Sequence, residues 1–404
     1  MSQVERIQPD LQFVKELQAV GGESLKKCYQ CATCSVACPL APPESPFPRK
    51  EMVWAQWGLK DRFEGNIDIW LCHNCQTCSD LCPRGAKPGD LISALRNMTY
   101  RKLVKPSIIG EWMSSGKGLP FLIAIPAILY LIIWIIRAGQ LGTAFPLDAN
   151  GNVIYGLLFP GDFTIDPIFG LIALIVAFKF YQGVMTLWKS FEKSIPKTLV
   201  LGEKREKPAL LDSLKAVLLG EIATHSKFND CGNNEVRYKG HLTLFYAFVA
   251  LAIVTSVVAV SHWGGKIIHF IAPLGHTPMP LWSPVKLLAI VGACLMLYGL
   301  TKLTQRRLNV NPKNTASSYY DWYLLGVIWA VALTGVGSLL FRLSGVAVIA
   351  YPVYYLHLIA VFMLFAYLPW SKLGHLVYRT TALVYAHQAG RLPLKREEEK
   401  TFRV

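Results

Sequence analysis

The chain has 404 residues, of which 52% are apolar and only 17% charged, with a formal net charge of +15. So apolar a composition excludes an ordinary soluble domain of this length and fits an integral membrane class. The positive charge does not mark a nucleic-acid binder. Residues 1–118 carry 15 Lys/Arg against 12 Asp/Glu, and the surplus flanks apolar segments, where basic residues orient membrane proteins.

In chain order, the start MSQVERIQPD has no apolar signal-peptide core, so the cysteines that follow are expected in a reducing compartment. Asp10 is an expected N-cap for a helix LQFVKELQAV, which Gly21 and Gly22 stop. Next come Cys28-x-x-Cys31-x-x-Cys34-x-x-x-Cys38-Pro39, a proline loop, a helix over about 50–60, and Cys72-x-x-Cys75-x-x-Cys78-x-x-x-Cys82-Pro83. A capped helix over LISALRNMTYRKL closes this part. The expected division is a two-cluster domain over 1–104, a linker over 105–118, a membrane domain over 119–376 with an inner loop at 189–240, and a basic tail over 377–404.

Six apolar stretches of spanning length lie at about 119–136, 168–188, 242–260, 285–303, 322–341 and 352–370. Their loops alternate in charge: 138–164 has no Lys or Arg and 263–283 only Lys266, whereas 189–240 has ten, 302–321 four and 372–404 seven. The positive-inside rule places both termini and the cysteine domain in the cytoplasm. Residues 209–224 read as an amphipathic helix along the inner face. The fold class is all-α: a helical two-[4Fe–4S] ferredoxin domain followed by a six-span bundle of cytochrome b type.

Each cysteine run has the C-x₂-C-x₂-C-x₃-C-P spacing that wraps thiolates around [4Fe–4S] clusters, the fourth Cys serving the other cluster. One quartet is then Cys28, Cys31, Cys34 and Cys82, and the other Cys72, Cys75, Cys78 and Cys38. Paired zinc sites share the C-x-x-C element, but four cysteines and a proline, twice over, is the cluster pattern.

Histidines supply a second set of candidates. His357 and His375 are 18 residues apart, which on one helix is five turns, or about 27 Å along one face. His241 and His262 bracket the third span. This permits two bis-histidine b haems, an inner one on His241 and His375 and an outer one on His262 and His357, with His269 a possible substitute for His262. His269 and His276 otherwise read as wetted loop residues. His225, with Cys231, reads as a loop residue, at the surface or near a haem edge, and Cys294 as a small apolar packer. Lys179, well inside span two, is either a quinone-site or propionate partner or a lysine snorkelling to the inner face. Arg137 and Arg342 sit at span ends as anchors or propionate partners.

With these residues in view, the segment CHNCQTCSDLCPRGAKPGDLISALR resembles the C subunit of heterodisulfide reductases. The membrane part resembles their E subunit and the cytochrome b subunit of respiratory nitrate reductase, in which a late helix carries two haem-ligating histidines, matched here by His357 and His375. The histidines of span three are 21 residues apart, wider than in that cytochrome. Both parts in one chain resemble the family of membrane subunits of quinone-interacting membrane-bound oxidoreductases of sulfate reducers. That resemblance implies two [4Fe–4S] clusters, two b haems, a menaquinone pool and two soluble flavin/iron–sulfur partners resembling heterodisulfide reductase A. It also implies electron delivery toward adenylylsulfate reductase.

The chain has no G-x-G-x-x-G fingerprint after a strand and no acid/base constellation, so flavin and substrate chemistry belong to other subunits. The function expected is electron relay within a quinone-linked membrane oxidoreductase. Two alternatives are a heterodisulfide-type complex running the other way and a haem-free membrane anchor with a cluster-bearing docking domain. An ion-translocating transporter fits poorly, because the spans hold almost no carboxylates.

Overall fold

A computed structural model of the chain describes residues 8–42, 45–194, 208–228, 235–275, 277–309 and 318–389. Cys231, His276 and the tail beyond residue 389 lie outside the described residues. The structure is 77% helical, with no strand among the described residues.

The N-terminal part is built around three longer helices and two cysteine loops, each loop with a one-turn helix of its own. Helix α1 (Leu11–Leu17) starts where Asp10 accepts from the Phe13 amide at 2.8 Å, as its N-cap position predicts. Helix α2 (Arg49–Gln56) buries Met52, Ala55 and the carboxyl of Glu51. Helix α3 (Pro88–Leu103), opened by Pro88, is the hub of the domain. Leu91, Ile92 and Leu95 of α3 pack into one core with Leu17, Met52 and Trp70. Residues 105–118, expected as a linker, carry a short helix, Ser107–Trp112, whose Gly110 lies close against the Arg101 backbone.

Six helices are long and apolar enough to cross a membrane, so the chain reads as a multi-pass membrane protein. They are α4 (Leu119–Leu141), α5 (Asp166–Ser194), α7 (Glu235–Gly264), α8 (Pro284–Asn309), α9 (Tyr319–Leu343) and α10 (Ala347–Ala366). Between α5 and α7 lies α6 (Leu210–Val217), which exposes Leu210, Leu211 and Leu214 on one side and buries Ser213 and Val217 on the other. That is the amphipathic pattern of an interfacial helix. Helices α7 and α8 approach closely through small residues: a Cβ on Gly299 would lie 2.8 Å from the Gly240 carbonyl.

The sixth span departs from expectation. It ends at Ala366 rather than near residue 370. Two short turns around Pro369 and Ser371 follow, and His375 opens a separate helix, α11 (His375–Gln388). Proline cannot donate to the helical ladder, and Ser371 accepts from the Leu373 amide at 3.1 Å to start the next turn. His357 and His375 therefore do not share one straight helix, and the five-turn spacing does not apply to them.

The cysteine domain covers the end of the bundle that bears the basic loops. Tyr100 of α3 stacks on Tyr320 at the start of α9, with centroids 6.3 Å apart. The indole of Trp370 donates to the Val104 carbonyl at 3.1 Å. Gly65, at φ +72°, sits so near the α5 backbone that a Cβ would meet the Ser190 carbonyl at 2.2 Å, so only glycine allows that approach.

Candidate metal and haem centres

The two cysteine runs fold alike. In each, the chain turns twice through left-handed backbone conformations, at Gln30 and Ala32 in the first and at Asn74 and Gln76 in the second. Left-handed conformations in non-glycine residues are costly and persist where the surroundings demand them. Here they wrap the backbone around sulfur. The Gln30 amide points at Cys28 Sγ (3.4 Å) and the Asn74 amide at Cys72 Sγ (3.3 Å). The hydroxyls of Thr33 and Thr77 lie 3.4 Å from Cys31 and Cys75 Sγ. Cys34 and Cys78 are buried on the one-turn helices Thr33–Val36 and Thr77–Asp80.

The neighbours of each thiol divide across the runs. Cys34 is pushed up to about 11 by burial and then by its thiol neighbours Cys28, Cys31 and Cys82. Cys38 is pushed up to about 12 by burial and then by Cys72. A cavity is lined by Cys38, Cys72, Cys75 and Cys78, closed by Phe47 and Ile92. All described cysteines are free thiols. Four clustered sulfurs, Cys78 buried and Cys38, Cys72 and Cys75 half-buried, that would repel one another as thiolates, with the Asn74 amide aimed at Cys72, fit a cationic iron cluster.

The two quartets differ in surroundings. Cys31 is exposed, as are Tyr29, Val36 and Leu81 beside it. The second run is covered by the membrane part. Arg237 of α7 donates to the Asn74 carbonyl at 2.9 Å and also to that of His73. Arg379 of α11 donates to the Trp70 carbonyl at 3.0 Å and meets His73 Nε2 at 2.5 Å. His73 is buried and held neutral by burial, reinforced by these guanidinium groups.

From His73 a chain of rings leads into the bundle. Phe228 lies 5.4 Å from His73 and 5.4 Å from His241, and His241 lies 6.0 Å from His375. Two imidazoles on one metal at about 2 Å each put their centroids about 6 Å apart. His375 Nδ1 donates to the Lys372 carbonyl at 2.7 Å, leaving its Nε2 free. Burial pulls His375 down to about 4, so it is the neutral imidazole that a metal takes. Lys372 is fixed by Asp321 of α9. The inner pair thus fits a bis-histidine haem.

The outer pair is not brought together in this way. His357 Nδ1 lies 3.0 Å from Thr334 Oγ1, with its ring against Gly335, where a Cβ would be 3.0 Å away. His262 bonds instead to Asp162, with Asp166 at 4.0 Å and Lys266 on the same Asp162 carboxylate at 3.2 Å. No ring contact joins His262 to His357 among the described residues. Asp162, in the turn before α5, and Asp166, the first residue of α5, capture the imidazole before it can turn inward.

Lys179 reaches Gln182 Oε1 on its own helix at 3.3 Å, in an exposed contact; the geometry is that of a snorkelling lysine. Arg137 donates to the Leu157 carbonyl at 2.9 Å, as a span-end anchor does. Cys294 is exposed on its span rather than packed inside. His225, read from sequence as a loop residue, is buried, with its Nε2 2.7 Å from His241 Nδ1. No motif announced that contact.

Residues 24–86 match the 4Fe-4S dicluster domain family, and residues 170–394 match the Citrate utilization protein B family. The chain is 35% identical over 116 residues to the C subunit of the H(2):CoB-CoM heterodisulfide,ferredoxin reductase of Methanothermobacter marburgensis, covering 28% of this chain and 62% of that one. It is 39% identical over 79 residues to the iron-sulfur C subunit of the CoB--CoM heterodisulfide reductase of Methanopyrus kandleri, covering 20% and 41%. The chain thus spans less than two thirds of the curated relatives it matches. No solved structure matches. Residues 24–86 are thus matched as a domain for two 4Fe–4S clusters, and with more than half of its length matched the chain belongs to the Citrate utilization protein B family.

Proposed function

We propose that this chain is a membrane electron relay of the QmoC type, joining a menaquinone pool to soluble flavin/iron–sulfur subunits that resemble heterodisulfide reductase A. From there electrons would go on toward adenylylsulfate reductase. In this reading the termini and the cluster domain are cytoplasmic, as the basic loops suggest. Cys28, Cys31, Cys34 and Cys82 hold one cluster, and Cys72, Cys75, Cys78 and Cys38 the other. His241 and His375 hold the inner haem, and His357 supplies a ligand to the outer one. To join it, His262 has to leave Asp162.

When bound, these groups supply one-electron chemistry, while the protein fixes their spacing and surroundings. Thiolates and imidazoles hold iron at the two ends of a short path. His73 and Phe228 fill the space between the second cysteine run and His241 and exclude water from it. Tyr29, Val36 and Leu81 leave the first quartet open to a soluble partner. The observation that carries the reading is the continuous ring contact from His73 through Phe228 and His241 to His375.

The test is an optical and EPR spectrum of the anaerobically purified full chain. Sharp reduced α-bands together with two reducible clusters are expected. Clusters without haem would leave only the anchor reading, and zinc in place of iron would reject both. The Citrate utilization protein B family, matched over residues 170–394, carries citrate in its name, so a soluble subunit acting on a carboxylate is the competing partner. Co-purification from native membranes separates the two.

A further inference from the structure

Five non-glycine residues among those described have positive φ. Four of them, Gln30, Ala32, Asn74 and Gln76, lie in the turns that wrap the cysteines. The fifth is His225, at φ 52°, which belongs to no ligand set given above. A left-handed backbone is disfavoured at a bulky residue and lasts only where the surroundings over-determine it.

What holds His225 is visible. Helix α6 and the turn after it run along the outside of α11, with Ser213 Oγ 3.1 Å from His387 Nδ1. The left-handed turn then drops the His225 ring inward, between Phe228 and Phe245, each with its centroid 5.4 Å away. There its Nε2 meets Nδ1 of His241 at 2.7 Å. A histidine serving only as filler would need no such partner, since an apolar ring would pack between Phe228 and Phe245 as well.

We propose that His225 is the positioning residue of the inner haem ligand. It accepts the Nδ1 proton of His241, which fixes the tautomer, keeps the Nε2 lone pair of His241 available for iron and makes that nitrogen a stronger donor. The Lys372 carbonyl does the same for His375. The inner iron site is therefore braced on both imidazoles, one by main chain and one by a third histidine delivered from the interfacial segment.

This inference rests on the haem reading above, and its test separates the two. The full chain is purified in detergent as wild type, His225→Phe and His225→Gln. Haem per chain, the potential of the inner haem and the ferric EPR signal are measured, with cluster content as the measure of folding. The Phe chain is expected to keep both clusters but hold the inner haem about 10- to 100-fold more weakly, any retained haem having a higher potential and an altered EPR signal. The Gln chain, whose amide oxygen accepts the same N–H, is expected to stay near wild type. An unchanged haem content and potential in the Phe chain overturn the proposal. If the Phe chain fails to assemble its clusters, the Gln chain decides alone, and loss of inner haem there overturns it. A wild-type chain without haem sinks the haem reading itself, and this inference with it.

Discussion

Cys82 and Cys38 each lie in one run but have their thiol neighbours in the other. Cys82 is among the thiol neighbours of Cys28 and Cys34, and Cys38 faces Cys72 and Cys75. In the proposed ligation, Cys82→Ser removes the fourth ligand of the cluster on Cys28, Cys31 and Cys34. Iron per chain should fall by about half, with loss of one of two EPR signals; loss of the other cluster instead would reject the crossing. Glu51 offers a separate test at this scale. Its carboxyl is fully buried, accepts from Asn66 at 3.1 Å through one oxygen and leaves the other without a partner. Burial, then the nearby Asp68 carboxylate, pushes it up to about 8. A folded-state value raised above the unfolded one means that its contribution to stability is full below about 4.5 and is lost as pH rises toward 8. Glu51→Gln should remove that slope and stabilise the cluster domain at pH 8 by on the order of 1 kcal/mol. Thermal unfolding at pH 5 and pH 8 measures it, and an unchanged slope would show that the carboxyl is not its source.

Among the elements, the break after α10 does most to shape the inner site. The turns around Pro369 and Ser371 bring His375 to the first position of α11, beside His241. His375→Ala should remove one haem and spare the clusters, read as haem and iron per chain; an unaltered haem content rejects the ligation. On α5, Lys179 is satisfied by Gln182 one turn away. Lys179→Met should therefore leave quinol oxidation by native membranes within about twofold of wild type. A large loss would restore a direct role at the quinone. Helix α6 matters as a carrier, since the turn that follows it delivers His225.

At the scale of the whole molecule, the cluster domain docks by its second run, so the second quartet faces the bundle and the first faces outward. Arg379 is central to that docking through Trp70 and His73. Arg379→Ala leaves buried acceptors unpaired at a cost of about 1–3 kcal/mol. Limited proteolysis should then cut the domain boundary faster, and electron transfer between inner haem and clusters should slow. Equal proteolysis rates would assign the docking to the aromatic contacts instead.

Much of this was legible in the chain itself. Cysteine spacing and apolar length are local properties, so the cluster runs, the six spans and the amphipathic segment could be read directly, because thiolate geometry and bilayer thickness fix those intervals. Where a side chain turns at the end of a span is not local. His241 and His375 meet, and His225 joins them, because a proline turn and a left-handed residue redirect the backbone. His262 is lost to Asp162, about a hundred residues away, and Lys179 to a neighbour on its own helix. Such choices depend on competition between partners that only packing brings within reach, and tertiary structure alone decided them.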